Sequence, residues 1–210
     1  MTISEKIKEY ALSLGFDACG ICRAESSREE EQLRQWIAMN YQGDMSYLER
    51  NIEKRNDPRL LVPGAKSIIS VALNYYPHIK RANHLPKFAY YAYGRDYHFV
   101  VKKKLKQLLE FTQSLLPATE GRFFSDSAPV LERYWAAKAG IGFVGKNTLL
   151  IIPGKGSFHF LGELIINKEL EYDTPLKLSC GSCTRCLDAC PTQAIVQPHL
   201  GNATKCSSYQ

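Results

Sequence analysis

Apolar residues in this chain follow two rhythms, one returning every three or four positions and one running almost unbroken, and the two alternate for most of its length. Over residues 3–14, Ile3, Ile7, Tyr10, Ala11 and Leu14 share one helical face, and Gly15 follows where a helix end favours positive φ. Residues 16–22 read as a short buried strand. Ser27 and Glu30 have capping-box spacing, which predicts a second helix carrying Leu33, Trp36 and Ile37. The clearest core strand is KSIISVALN, residues 66–74.

A longer helix is predicted over 97–116, where Val101, Leu105, Leu108, Leu109 and Leu116 form an apolar stripe and Lys102, Lys103, Lys104 and Lys106 crowd the remainder. Residues 121–125 supply another strand. Pro129 suits the opening of a helix that runs to Ala139 and ends at Gly140. The apolar runs 148–152 and 157–166 flank Pro153, Gly154, Lys155 and Gly156, which predicts a hairpin.

These elements imply an α+β protein, with a mixed α/β core over residues 1–174 and a short-turn, cysteine-rich module over 175–210. With 210 residues and 45% hydrophobic content, the chain can bury one substantial core. A net charge of +6 permits an acidic partner such as nucleic acid, but it is modest for this length. No run approaches the roughly 18 apolar residues of a membrane span, and MTISEKIKEY lacks the order of a signal peptide. A cytoplasmic protein with no membrane partner is expected.

The seven cysteines cluster, unlike a disulfide framework, and favour metal or redox chemistry. Cys180, Cys183, Cys186 and Cys190-Pro191 have the spacing of a bacterial ferredoxin-type [4Fe-4S] run, whose soft thiolates let a tight loop wrap a cubane. Zinc is the main alternative, although its structural sites usually pair distant C-x-x-C elements. In two-cluster ferredoxins the fourth cysteine of such a run serves the other cluster, and Cys206 is the remaining nearby thiol. Two cubanes need eight thiolates, so the sequence is expected to stop inside its second half-module. Cys19 and Cys22 form another C-x-x-C, but their apolar setting favours buried packing over a redox pair.

Taken with the segments EKRNDPRLLVPGAKSIISVALNYY, YAYGRDYH, DSAPVLERYWAAKAGIGFVGKNTLLI, GSFHFLGELIIN and NATKCSSY, the cysteine run resembles the epoxyqueuosine reductase family. The resemblance spans nearly the whole chain. It implies a cobalamin-dependent iron-sulfur enzyme that removes the epoxide oxygen of epoxyqueuosine in tRNA, consuming two electrons and two protons and releasing water. It also implies base-off cobalamin (vitamin B12), two [4Fe-4S] clusters in the full-length protein, an external electron donor of flavodoxin or ferredoxin type, and a monomer.

Carried over by residue, the resemblance makes Asp126 the proton donor and a cofactor contact. Read alone, Asp126 would be a polar cap for the helix expected at Pro129. The other implied corrin contacts are Arg55, Ala89, Arg133, Leu150, Leu161 and Ser208, and the metal ligands are Cys180, Cys183, Cys186, Cys190 and Cys206. Lys146 and Asn147 are candidate pocket donors. Asp96, Tyr97 and His98 imitate the start of a D-x-H-x-x-G cobalamin signature, but Val101 stands where that pattern has glycine, so His98 is expected to be structural or pocket-lining. The alternatives are a reductive dehalogenase-like reductase, against which the missing twin arginine counts, and a non-catalytic ferredoxin-type electron-transfer protein.

Overall fold

The computed structural model describes residues 1–79, 81–82 and 84–209. In chain order its helices are α1 (Ile3–Ser13), α2 (Glu30–Ala38), α3 (Ile52–Asn56), α4 (Tyr97–Leu115), α5 (Glu132–Lys138) and α6 (Arg185–Asp188). The strands are β1 (Ala18–Arg23), β2 (Ser67–Asn74), β3 (Gly121–Phe124), β4 (Phe143–Val144), β5 (Leu150–Ile151), β6 (His159–Ile166), β7 (Ile195–Gln197) and β8 (Leu200–Gly201). Mixed helix and strand is therefore the fold class, as the sequence implies.

The main sheet is antiparallel, in the order β1-β2-β6-β3. Alternation along its strands makes two cores. Ile21, Ile69, Val71, Leu164 and Ile166 meet α1 and α4 through Ile7, Ala11, Val101, Leu105 and Leu108. Cys22, Ile68 and Ile165 point the other way and meet Trp135 of α5 and Ala139 at its C-cap. Gly20 allows that second contact, since a Cβ there would lie 2.1 Å from the Ala139 carbonyl oxygen. The edge strand β1 is covered by Asp173, whose amide donates to the Ile21 carbonyl at 2.8 Å while its Oδ2 accepts from the Ile21 amide at 2.9 Å.

Three local expectations are corrected. Ser27 does not close a capping box on α2, because its hydroxyl donates to Asn56 Oδ1 at 2.7 Å and so ties the approach to α2 onto the end of α3. Helix α5 starts at Glu132 instead of Pro129, because Asp126 adopts φ +50° and residues 125–131 form an irregular connection. The hairpin reduces to one bridge between Ile152 and Gly156, since β5 pairs with β4 and β6 is claimed on both sides by β2 and β3. Among the described residues, no helix is long and apolar enough to cross a membrane.

Candidate active site and cysteine loop

Asp126 leaves the end of β3, where the preceding Ser125 hydroxyl anchors the chain to β6 by donating to the Leu161 carbonyl at 2.8 Å. The side chain of Asp126 caps no helix. Its Oδ2 accepts a hydrogen bond from the Tyr97 hydroxyl at 2.5 Å, and its backbone amide donates to Glu132 Oε1 at 2.6 Å. Tyr97 is fixed by stacking on Phe160 of β6, 3.9 Å away and nearly parallel, and on His98. Burial, and then the hydrogen bond to Asp126, push its phenol above the usual range. The neighbouring Asp96 caps α4 by accepting from the His98 amide at 2.9 Å, and the same oxygen lies 2.7 Å from His98 Nδ1. The DYH segment thus has structural work to do.

Glu132 and Arg133 stand in the first turn of α5. By accessible surface, Glu132 is partly buried and Arg133 is exposed. Burial pushes the Glu132 carboxyl up to about 7, and the same desolvation lowers the Arg133 guanidinium, which Glu132 and Asp126 oppose. Arg133 donates to the Thr148 carbonyl, two residues before Leu150. Leu150 and Leu161 meet in one apolar cluster with Ala72 and Ala136. The structure therefore gathers Asp126, Arg133, Leu150 and Leu161 at one end of the sheet.

The other implied contacts stand elsewhere. Ala89 is exposed beside Tyr90, at the end of an aromatic run through Tyr76, Phe158, Tyr75 and Phe160 that leads to Tyr97. Arg55 is partly buried on α3, reaches the Tyr47 carbonyl at 3.4 Å, and leaves its Nε without a partner. Ser208 is exposed beside Tyr209, whose hydroxyl accepts from the Asp44 amide at 2.7 Å. A surface depression of about 320 Å³ beside α4, lined by Arg95, Asp96, Phe99, Val100 and Lys103, includes neither Asp126 nor Arg133.

Lys146, expected as a pocket donor, makes its bonds to the cysteine segment. Its Nζ donates to the carbonyls of Gly181 at 2.8 Å and Cys183 at 2.9 Å, and its amide points at Cys180 Sγ, 3.4 Å away. Asn147 accepts from the Leu149 amide within its own turn. This loop braces the cysteine segment. There, the Cys183 amide donates to the Cys180 carbonyl at 3.0 Å, and α6 carries Cys186. Cys190 Sγ receives the Ala194 amide at 3.2 Å, and amides led by that of Ile195 hold its thiol below the usual range. Amide donors aimed at sulfur suit thiolate ligands of an iron-sulfur cluster. Among the described residues, no three His, Cys, Asp or Glu side chains converge as a single-ion site. A cubane differs from such a site in binding its ligands through separate irons. Cys19 and Cys22 belong to opposite cores, and burial pushes each thiol up to about 12.

Residues 55–127 match the family model described as epoxyqueuosine reductase QueG, DUF1730, and residues 179–210 match a 4Fe-4S double cluster binding domain. An epoxyqueuosine reductase of Cellulophaga algicola is 51% identical over 207 residues, covering 98% of this chain and 68% of that protein. The chain belongs to the epoxyqueuosine reductase family. One solved epoxyqueuosine reductase, in complex with an epoxyqueuosine-modified tRNA-Tyr stem loop, superposes with a TM-score of 0.88 at 36% identity, over 98% of this chain and 56% of its own. Another, from Bacillus subtilis with its catalytic aspartate loop swung out of the active site, gives 0.87 at 36%, again over 98% and 56%. The chain thus spans a little over half the length of these solved epoxyqueuosine reductases. A reductive dehalogenase shares the fold alone, with a TM-score of 0.53 at 16% identity over 94% of this chain and 23% of its own.

Proposed function

We propose that this chain carries the catalytic core of an epoxyqueuosine reductase, which reduces epoxyqueuosine in tRNA to queuosine with cobalamin and [4Fe-4S] clusters. The observation that carries the reading is the pair at the sheet end: Asp126, held at φ +50° with its carboxyl bonded to Tyr97, beside Arg133 in the first turn of α5. The family's solved members supply the context, one bound to a modified tRNA stem loop and one with its catalytic aspartate loop swung out of the active site.

Cobalamin fits the surface on two counts. The half-exposed rings of Tyr76 and Phe158 offer apolar area for a macrocycle, and the unpartnered Arg55 Nε offers a donor for a polar substituent. Arg55, Ala89, Asp126, Arg133, Leu150, Leu161 and Ser208 would hold it, and Cys180, Cys183, Cys186, Cys190 and Cys206 would hold iron. When bound and reduced, the cobalt centre supplies a strong nucleophile, and the clusters feed it electrons. Asp126 delivers a proton to the departing epoxide oxygen, because an alkoxide is a poor leaving group. Tyr97 orients that carboxyl, and Arg133 places positive charge beside it. His98, tied to Asp96 and stacked on Tyr97, suits base-off cobalamin without a histidine ligand. We extend the reading to a cytoplasmic monomer with a core over 1–174, a cluster module over 175–210 and a flavodoxin or ferredoxin as donor.

The test is anaerobic reconstitution with iron, sulfide and cobalamin, followed by optical and EPR spectra and conversion of an epoxyqueuosine anticodon stem-loop under a chemical reductant. Cobalamin and cluster signals with loss of the epoxide are expected. Reduction of a halogenated phenol, with the epoxide untouched, would favour the dehalogenase-like reading. Binding to the stem-loop should also weaken steeply as salt rises, since phosphate contacts dominate such affinity. Salt-indifferent binding would remove the electrostatic part of the argument.

A further inference from the structure

Residues 75–95, which lead from β2 into α4, contain no Asp or Glu and interleave aromatic with basic side chains. The pattern continues onto α4, where Phe99, Lys102, Lys103 and Lys106 recur at helical spacing and share one flank. Phe99 is 77% exposed on a helix whose apolar stripe, Val101, Leu105 and Leu108, is fully buried, so its ring adds nothing to the core. Arg95, Lys103 and Lys106 are exposed beside it. Lys104 is the exception among the lysines, since its Nζ turns inward to the Leu14 carbonyl and lies 5.7 Å from the centre of the Phe16 ring. Among the described residues, Asp96 is bonded to His98 and Glu110 stands 3.8 Å from Lys106, whereas Arg95 and Lys103 enter no ion pair. Arg95, Asp96, Phe99, Val100 and Lys103 line the depression of about 320 Å³, with Arg95 just before the helix and Lys103 in its second turn.

We infer that this flank of α4 docks single-stranded RNA, with one base stacked on Phe99 in the depression, the adjoining phosphates on Arg95 and Lys103, and Lys106 extending the track. The inference rests on the reading of the chain as an enzyme acting on tRNA. Two chemistries coincide here. The cations call for a polyanion, and the bare ring calls for a flat partner, which an unpaired nucleobase supplies and a base inside a duplex does not. An acidic protein surface would match the charges but leave Phe99 without a partner of its own shape. The depression lies at the small end of ligand pockets, which is room for one planar group. Its position also fits the reaction. Tyr97, two residues before Phe99 on the same helix, holds the Asp126 carboxyl at 2.5 Å. A loop strand pinned along the roughly 10 Å of helix from Phe99 to Lys106 therefore brings its next nucleotide to the sheet end, so the stacked base is a neighbour of the one that reacts.

Fluorescence anisotropy of the 210-residue chain tests it, with a labelled anticodon stem-loop and a fully paired RNA of the same length, each titrated at several salt concentrations. Phe99→Ala should weaken stem-loop binding about tenfold, leave the slope of log affinity against log salt unchanged and spare the paired RNA, and Phe99→Trp should restore the affinity. Lys103→Gln should weaken binding a few-fold and reduce that slope by about 0.7, the share of one phosphate contact on a single strand. Both side chains are exposed, so melting of the variants should stay native. Native affinity in Phe99→Ala and Lys103→Gln overturns the inference, as does an equal loss on stem-loop and paired RNA. If the variants bind the stem-loop natively and, once cofactor-loaded, lose turnover with a flavodoxin but not with a chemical reductant, the flank serves an acidic electron donor and the inference falls. Two further outcomes keep it apart from the enzymatic reading. A stem-loop held through Phe99 and Lys103 whose epoxide the cofactor-loaded protein never reduces would remove the reading and leave the docking site. Epoxide reduction with native binding in both variants would remove the docking site alone.

Discussion

Replacing Asp126 by Asn and by Ala separates its chemical role from its backbone role. The residue sits at φ +50°, a left-handed conformation that Asn tolerates and that costs Ala about 1 kcal/mol. Asn also keeps an acceptor for the Tyr97 hydroxyl, whereas Ala forfeits that bond, a loss of about 1 kcal/mol at an exposed site. The Ala variant should therefore lose about 2 kcal/mol, which lowers the melting temperature by roughly 4–8 °C for a chain of this size. The Asn variant should stay within about 0.5 kcal/mol of native. Neither side chain can deliver a carboxylic proton, so both should lose turnover by about a hundredfold or more. The assay is single-turnover conversion of epoxyqueuosine in an anticodon stem-loop, read beside melting curves and cobalamin spectra. Turnover of the Asn variant within a few-fold of native would dismiss Asp126 as the acid, and identical melting of the two variants would show that the left-handed turn is not maintained in solution.

Glu163 has no accessible surface in β6, and burial raises its carboxyl as it raises that of Glu132. The folded chain therefore binds more protons than the unfolded one above the ordinary carboxyl value of 4.5, so stability is full below it and falls as pH rises through the folded values. Urea unfolding in pH steps should show a slope of about 1.4 kcal/mol per pH unit for each such proton, shallower in Glu163→Gln, and parallel slopes would contradict the burial argument. Lys146→Met removes two donors from the cysteine loop, so clusters should be lost to a chelator roughly tenfold faster, and unchanged loss kinetics would dismiss the brace. Cys19→Ala and Cys22→Ala should leave the iron content of reconstituted protein unchanged while Cys183→Ala lowers it, and equal losses would place the first pair among the ligands.

What could be read in advance tracks how local each cause is. The stripe on α4 and the unbroken run of β2 announce themselves because their own residues fill the core. The turn at Pro153 and Gly154 is also legible, but the pairing of β6 is decided by β2 and β3, which no turn residue records. Pro129 misleads because Asp126 takes a left-handed turn and delays α5. Asp126 itself stands out only through family resemblance. Its partner Tyr97 is far away in sequence and reads as part of an amphipathic helix, although the adjoining DYH pattern marks the spot. Glu163 in HFLGELII breaks an otherwise apolar strand, and that interruption was the available signal for a buried carboxyl.

The strand order also sets when this molecule can become itself. Both neighbours of β6, the inner strand β2 and the edge strand β3, are made before it, and the edges that will pair with it stay open until residues 159–166 leave the ribosome. Pairs such as Ser67 with Ile166 close very long loops, which places this chain among slow folders dependent on late contacts. The cysteine loop follows within a short stretch of chain, and its Lys146 brace lies in the segment just before β6. Core closure and cluster loading are thus adjacent events in synthesis. Iron supplied too early would meet thiolates whose supporting loop has no sheet to stand on.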